Sequence, residues 1–266
     1  MTKHRELQHG PLTQRQVIGQ RQSGTSLIEL LVGLSIGMLT TSAALATLWM
    51  LQSFNYTISE LAHLQQQAAY AFRVLGQQIR QAGDYALKPS KDVLAVAALD
   101  SLDGQIAVYG EVLANTHTLT IRLPNSIESI YKNANSFEAK ALSRNCLQES
   151  GAATISSSFK LHNNQLVCAG TGQAQAIISD VSDFQVRYLV RHVQGGAARF
   201  QYFSANAMTA EQWKNVQAVE ICLGLTGQIA IDTAGATYVR CDGSEVNRAN
   251  RLQLVLRSQY SIRSRL

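Results

Sequence analysis

One carboxylate, Glu29, stands alone in a stretch from Thr25 to Ser59 that holds no other charged side chain. An ionised carboxylate in apolar surroundings costs about 3 kcal/mol or more unless it meets a cation or reaches the interface, so ion pairing is the chemistry to expect there. Four cysteines, Cys146, Cys168, Cys222 and Cys241, can form two disulfides. None has the Cys-x-x-Cys spacing of zinc or thioredoxin-like sites. Three connectivities are open, and the short loops favour Cys146 with Cys168 and Cys222 with Cys241. The familiar catalytic and cofactor patterns do not occur: there is no Gly-x-Ser-x-Gly elbow, no phosphate loop, no His-Glu-x-x-His and no histidine pair at metal spacing. His63, His117, His162 and His192 are scattered, and Asp180 with Asp183 gives two acids without the further ligands a calcium site needs. The sequence therefore points to a non-enzymatic protein with no metal and no cofactor.

Glu29 must be placed by the run TSLIELLVGLSIGMLTTSAALATLWMLQSF, long enough to cross a bilayer core of about 30 Å as a helix. The run exceeds the apolar core of a signal peptide, and no small-x-small cleavage site with a plausible start follows it. It accounts for the low charged fraction, 15% against about 25% in ordinary globular chains. Lys3, Arg5, Arg15 and Arg21 precede it against Glu6 alone, so most of the formal charge of +5 is a topology signal. The short N-terminal part is expected inside and the long C-terminal part exported, where disulfides persist. The charge left after Thr25 is too small to steer a polyanion strongly.

The segment RQSGTSLIELLVGL resembles the type IV prepilin motif: a basic leader, a glycine, then an apolar run with glutamate in fifth place. The resemblance implies that an inner-membrane prepilin peptidase cuts after Gly24 and methylates the amine of Thr25, a position at which the family usually has phenylalanine. It further implies that Glu29 pairs with the Thr25 amine of its own or an adjacent subunit when such helices bundle into a filament, fixing axial register. Gly33 and Gly37 form a Gly-x-x-x-Gly pattern that permits close helix approach.

Beyond Ser53 the helix is expected to continue, with Leu61, Leu64, Ala68, Phe72, Leu75 and Ile79 forming one apolar stripe and Gly83–Asp84 ending it. Strand signals follow in GQIAVYGEVL, in THTLTIRLP, in a hairpin SSSFKLHNNQLVCAG turning at Asn163–Asn164, and in AIISDVSDFQVRYLV, NVQAVEICLGLTG, ATYVRCDG and RLQLVLRSQY. Gly195 and Gly196 mark a further turn, and residues 125–150 read as a loop pinned by Cys146. The order gives an α+β fold, a long N-terminal helix whose amphipathic half packs on an antiparallel β-sheet head. Four segments result: leader 1–24, membrane or filament-core half 25–52, amphipathic half 53–83, and disulfide-stapled head 84–266.

Within the pilin superfamily the chain resembles the PilW minor pilins, through QQIRQAGDY, THTLTIRL, ISDVSDFQVRYLV, WKNVQAVEICL with Trp213, and LQLVLRSQY preceded by Arg248 and Arg251. That resemblance implies a low-abundance structural subunit that helps prime or cap the type IV pilus and supports adhesion, twitching motility or DNA uptake. Implied partners are the prepilin peptidase, other minor pilins, the major pilin, a tip adhesin and the inner-membrane assembly platform. The implied location is the inner membrane, with the head in the periplasm, and then the extracellular pilus of a Gram-negative bacterium. Two competing readings are a J-like pseudopilin of type II secretion and a membrane-anchored periplasmic enzyme. Arg248, Arg251, Arg257, Arg263 and Arg265 form a basic C-terminal group; interspersed charge of this kind reads as solvated surface before it reads as a DNA contact.

Overall fold

The computed structural model describes residues 24, 26–82, 107–113, 116–124, 144–150 and 154–262. The leader before Gly24, Thr25, the expected stop at Gly83–Asp84, most of the loop 125–150, and Arg263 and Arg265 lie outside these. The chain divides into two units, Met1–Ser53 and Phe54–Leu266.

Helix α1 runs Leu27–Gln81 without a break. Its residues up to 52 are all exposed, and the first unit offers them no core. Within the second unit the character changes: Leu64, Ala68, Ala71, Leu75 and Ile79 are buried at spacings of three and four, which place them on one face. Truncating any of the large ones to alanine removes about 2–5 kcal/mol.

The head confirms the expected α+β class, with its strands divided among three antiparallel sheets. One sheet has the order β1–β2–β3–β4–β5, built from Val108–Leu113, Thr116–Pro124, Thr154–His162, Gln165–Ala169 and Gln175–Ile178. The second has the order β11–β8–β6–β7, from Arg251–Ser261, Val216–Ala230, Val181–Gln194 and Ala197–Ser204. A two-stranded ribbon pairs β10 (Glu245–Asn247) with β9 (Thr237–Val239). A 3-10 turn at Ala205–Ala207 and a short helix α2, Ala210–Lys214, lie between β7 and β8.

Local chemistry explains these boundaries. Asn163 and Asn164 both take left-handed φ, +49° and +56°, and close the β3–β4 hairpin. Gly195 and Gly196 do the same for β6 and β7 at +62° and +81°. The run AIISDVSDFQVRYLV, expected as one strand, is two: Asp180 at φ +60° breaks it, so that β5 stays with the first sheet and β6 enters the second. α2 opens with a capping box in which the Thr209 hydroxyl accepts from Gln212 N–H and the Gln212 side chain accepts from Thr209 N–H.

Inner faces of both large sheets join the helical stripe in one core. β2 supplies Leu119, Ile121 and Leu123 in strict alternation, β6 supplies Phe184, Val186, Tyr188 and Val190, and β8 supplies Val219, Ile221, Leu223 and Leu225. Tyr188 is fully buried, packs edge-on against Trp213 at 4.7 Å, and sits where a side chain on Gly110 would be. Burial pushes its phenol pKa well up.

Candidate functional site

The residues singled out for function fall into two groups, one per unit. On the first half of α1, Leu27 at 79% and Trp49 at 77% exposure bracket an apolar surface with nothing against it among the described residues. By length and composition the helix can cross a membrane. Glu29 lies in its first turn, where the helix dipole favours a negative charge, and its side chain is exposed. Its N–H is held by Ser26, whose carbonyl accepts at 3.0 Å. The Thr25 amine that would pair with Glu29 lies outside the described residues. No atom approaches within 4 Å of a side chain placed on Gly33 or Gly37, so that small-residue face is open.

This half of α1 contains five hydroxyls that the motif reasoning passed over. Ser35 donates to Val32 O, Thr40 to Gly37 O, Thr41 to Gly37 O and Met38 O, Ser42 to Met38 O, and Thr47 to Ala44 O, all between 2.7 and 3.0 Å. Each hydroxyl finds its acceptor one turn back on its own helix, which lets it sit in apolar surroundings without an unpaired donor.

In the head, the cysteines are joined Cys146 to Cys168 and Cys222 to Cys241, with Cα separations of 6.5 and 5.7 Å. Cys146 N–H is accepted by the Ser157 hydroxyl, which in turn donates to Gln78 Oε1 of α1 at 2.8 Å. The first bridge is thus tied to the helix through a buried polar chain that sequence spacing did not reveal. A second tie is Glu60, only 8% exposed, whose Oε1 accepts the N–H groups of Gln228 and Ile229 at the end of β8. A third is Tyr260 of β11, which lies where a side chain on Gly76 would be and donates its hydroxyl to Phe72 O at 2.8 Å.

The candidate ligand groups are engaged within the fold. Asp183 accepts from Cys241 N–H and lies 3.8 Å from Arg240, while Asp180 accepts from Gln228 and Ser179. These carboxylates do not converge on one point, and among the described residues no three histidine, cysteine or acidic side chains could hold a metal. The arginines separate likewise: Arg248 donates to Thr237 O, Arg251 to Gly227 O and Gln228 O, and Arg257 to Cys241 O while lying 3.8 Å from Glu220. Each of these three is engaged with backbone carbonyls of the head.

His117 of β2 accepts the Val186 N–H at 3.3 Å through Nδ1, connecting the two large sheets. Burial lowers its pKa from the ordinary histidine value, and the Asp183 charge opposes this less strongly. Glu149 is held below the usual carboxylate range by hydrogen bonds from Asn145 and Thr171.

Among solved structures the chain is similar to a type IV-like pilin from Thermus thermophilus, at 11% identity, with 76% of this chain and 98% of that one covered and a TM-score of 0.39. No curated protein matches. Residues 147–264, the stretch that carries β3 to β11 and the Cys222–Cys241 bridge, match the family described as Type IV Pilus-assembly protein W, and over that stretch the chain is similar to this family.

Proposed function

We propose that the chain is a minor subunit of a type IV pilus, made as a precursor that a prepilin peptidase cuts after Gly24. Residues 1–24 are the leader, 25–52 the segment held in the inner membrane and then in the filament core, 53–83 the half of the helix that joins the head, and 84–266 the exported head. The subunit performs no catalysis; it primes or caps the filament together with other minor pilins and the major pilin, in support of adhesion, motility or DNA uptake. The observation that carries this reading is the exposed apolar first half of α1, whose only charge is Glu29 in the first turn, ahead of a head that resembles a pilus-assembly family. Glu29 finds its cation in the amine that cleavage frees on Thr25. A misregistered neighbour would leave the carboxylate unpaired in apolar surroundings, which is what gives the pairing its specificity.

The direct test is the intact mass and N-terminal sequence of the protein recovered from membranes. A mature chain that starts at Thr25 with a methylated amine is the expected result, and Gly24→Val should leave the longer precursor. A mature start at any other residue, or normal processing of Gly24→Val, would overturn the assignment.

A further inference from the structure

The β6–β7 hairpin outruns the sheet that carries it. β8 follows β6 only as far as the pair Val216 and Val190, whereas β6 and β7 remain paired for four more positions, up to Gln194 and Ala197. A two-residue turn makes its flanking pair a hydrogen-bonded one, and bonded and non-bonded pairs then alternate. The N–H and C=O groups of Ala198, Phe200 and Tyr202 must therefore face outward from β7. The opposite side of the ribbon bears this out: Arg191 N–H, across from Phe200, points away from β7 and is accepted by Asn215 O at 3.1 Å. β7 is the last strand of its sheet, and among the described residues no backbone group faces its outer edge.

Natural sheets guard such an edge with proline, a bulge or a covering element. β7 has no proline, and its pairing with β6 runs through eight positions without a bulge. The side chains along it are asymmetric. Phe200 and Val193 share one face and are 57% and 69% exposed. Arg199 stands on the opposite face beside His192, Arg191 lies on the Phe200 face, and neither arginine is ion-paired among the described residues. Glu211 is paired with Lys214 at 3.3 Å, and Glu220 lies between Arg187 and Arg257. A groove lined by His192, Val193, Arg199, Phe200, Gln201 and Phe203 runs along this edge.

We propose that the outer edge of β7 takes up an extended segment of another protein as an added strand, one whose side chains alternate between acidic and apolar. Main-chain pairing to Ala198, Phe200 and Tyr202 supplies the register. Period-two alternation sends the partner's carboxylates to the Arg199 face and its apolar groups to the Phe200 face. This follows from the edge itself and holds whether or not the chain is a pilus subunit.

The test uses the full chain in detergent and two eight-residue peptides with blocked termini, one alternating valine with glutamate and the other valine with lysine. Hydrogen exchange at the Ala198, Phe200 and Tyr202 amides should slow by at least about tenfold with the glutamate peptide and not with the lysine peptide, given roughly 1.4 kcal/mol per tenfold. Ala198→Pro, which removes an outward N–H while leaving the β6 ladder intact, should abolish the protection without lowering the melting temperature. Arg199→Glu should transfer the preference to the lysine peptide. Equal protection by both peptides, protection that survives Ala198→Pro, no protection at all, or displacement of the peptide by a 20-nucleotide oligo(dT) would overturn the proposal.

Discussion

α1 is one continuous helix that meets two environments. From Leu27 to Gln52 every side chain is exposed, and among the described residues the side-chain hydrogen bonds return to the same helix. From Phe54 onward the helix buries a stripe of small and branched residues and reaches into the sheets through Glu60, Gln78 and Gly76. The first half therefore has no packing surface among the described residues, whereas the second half is packed by the head of the same chain. Substitutions in the two halves should therefore fail in different assays.

The largest effect is expected in the first half. On the proposal that Glu29 sets axial register, Glu29→Ala should reduce recovery of the subunit in sheared surface filaments by more than about tenfold. The melting temperature of the head should stay unchanged, and a falling one would break the division drawn here. In the head, replacing both Cys222 and Cys241 by serine opens a loop with a sequence separation of 19 and should lower unfolding free energy by about 3 kcal/mol in urea titrations. Glu60→Ala strands the Gln228 and Ile229 N–H groups and should cost about 2 kcal/mol in the same titration. Glu60→Gln, which keeps an acceptor, should recover most of that loss. The smallest effect concerns pH. Because folding lowers the His117 pKa, the unfolded chain takes up the proton first as pH falls below the ordinary histidine value of about 6.5. Stability is full above that value and declines as pH drops through the folded pKa. The melting temperature should decline between pH 7 and 5, and the decline should be smaller in His117→Asn.

Period and turn chemistry carried much of the head in advance. The stripe through Leu64, Ala68, Leu75 and Ile79, the alternation of Leu119, Ile121 and Leu123, and the turns at Asn163–Asn164 and Gly195–Gly196 each follow from a local rule, and the fold places them as expected. The strand β7 beyond the glycine turn was not legible, since AARFQYFS lies largely exposed and lacks the polar–apolar contrast a buried face imposes. The division into separate sheets depended on one left-handed residue, Asp180, in a run whose hydrophobic pattern continues across it. Glu60 was unreadable for another reason. A carboxylate on a helix resembles a solvated one until the end of β8, more than 160 positions later in the chain, supplies its two donors. Glu29 stands out in the sequence for the opposite reason: a lone charge in an apolar run needs no tertiary context to be noticed.

The self-contained hydroxyls of α1 have a consequence for how this segment can travel. Ser35, Thr40, Thr41, Ser42 and Thr47 carry their acceptors with them, so moving the helix from lipid to a protein-lined setting breaks no side-chain hydrogen bond and demands no replacement. These hydroxyls are portable, and Glu29 is left as the one ionisable group of the half whose energy depends on the destination.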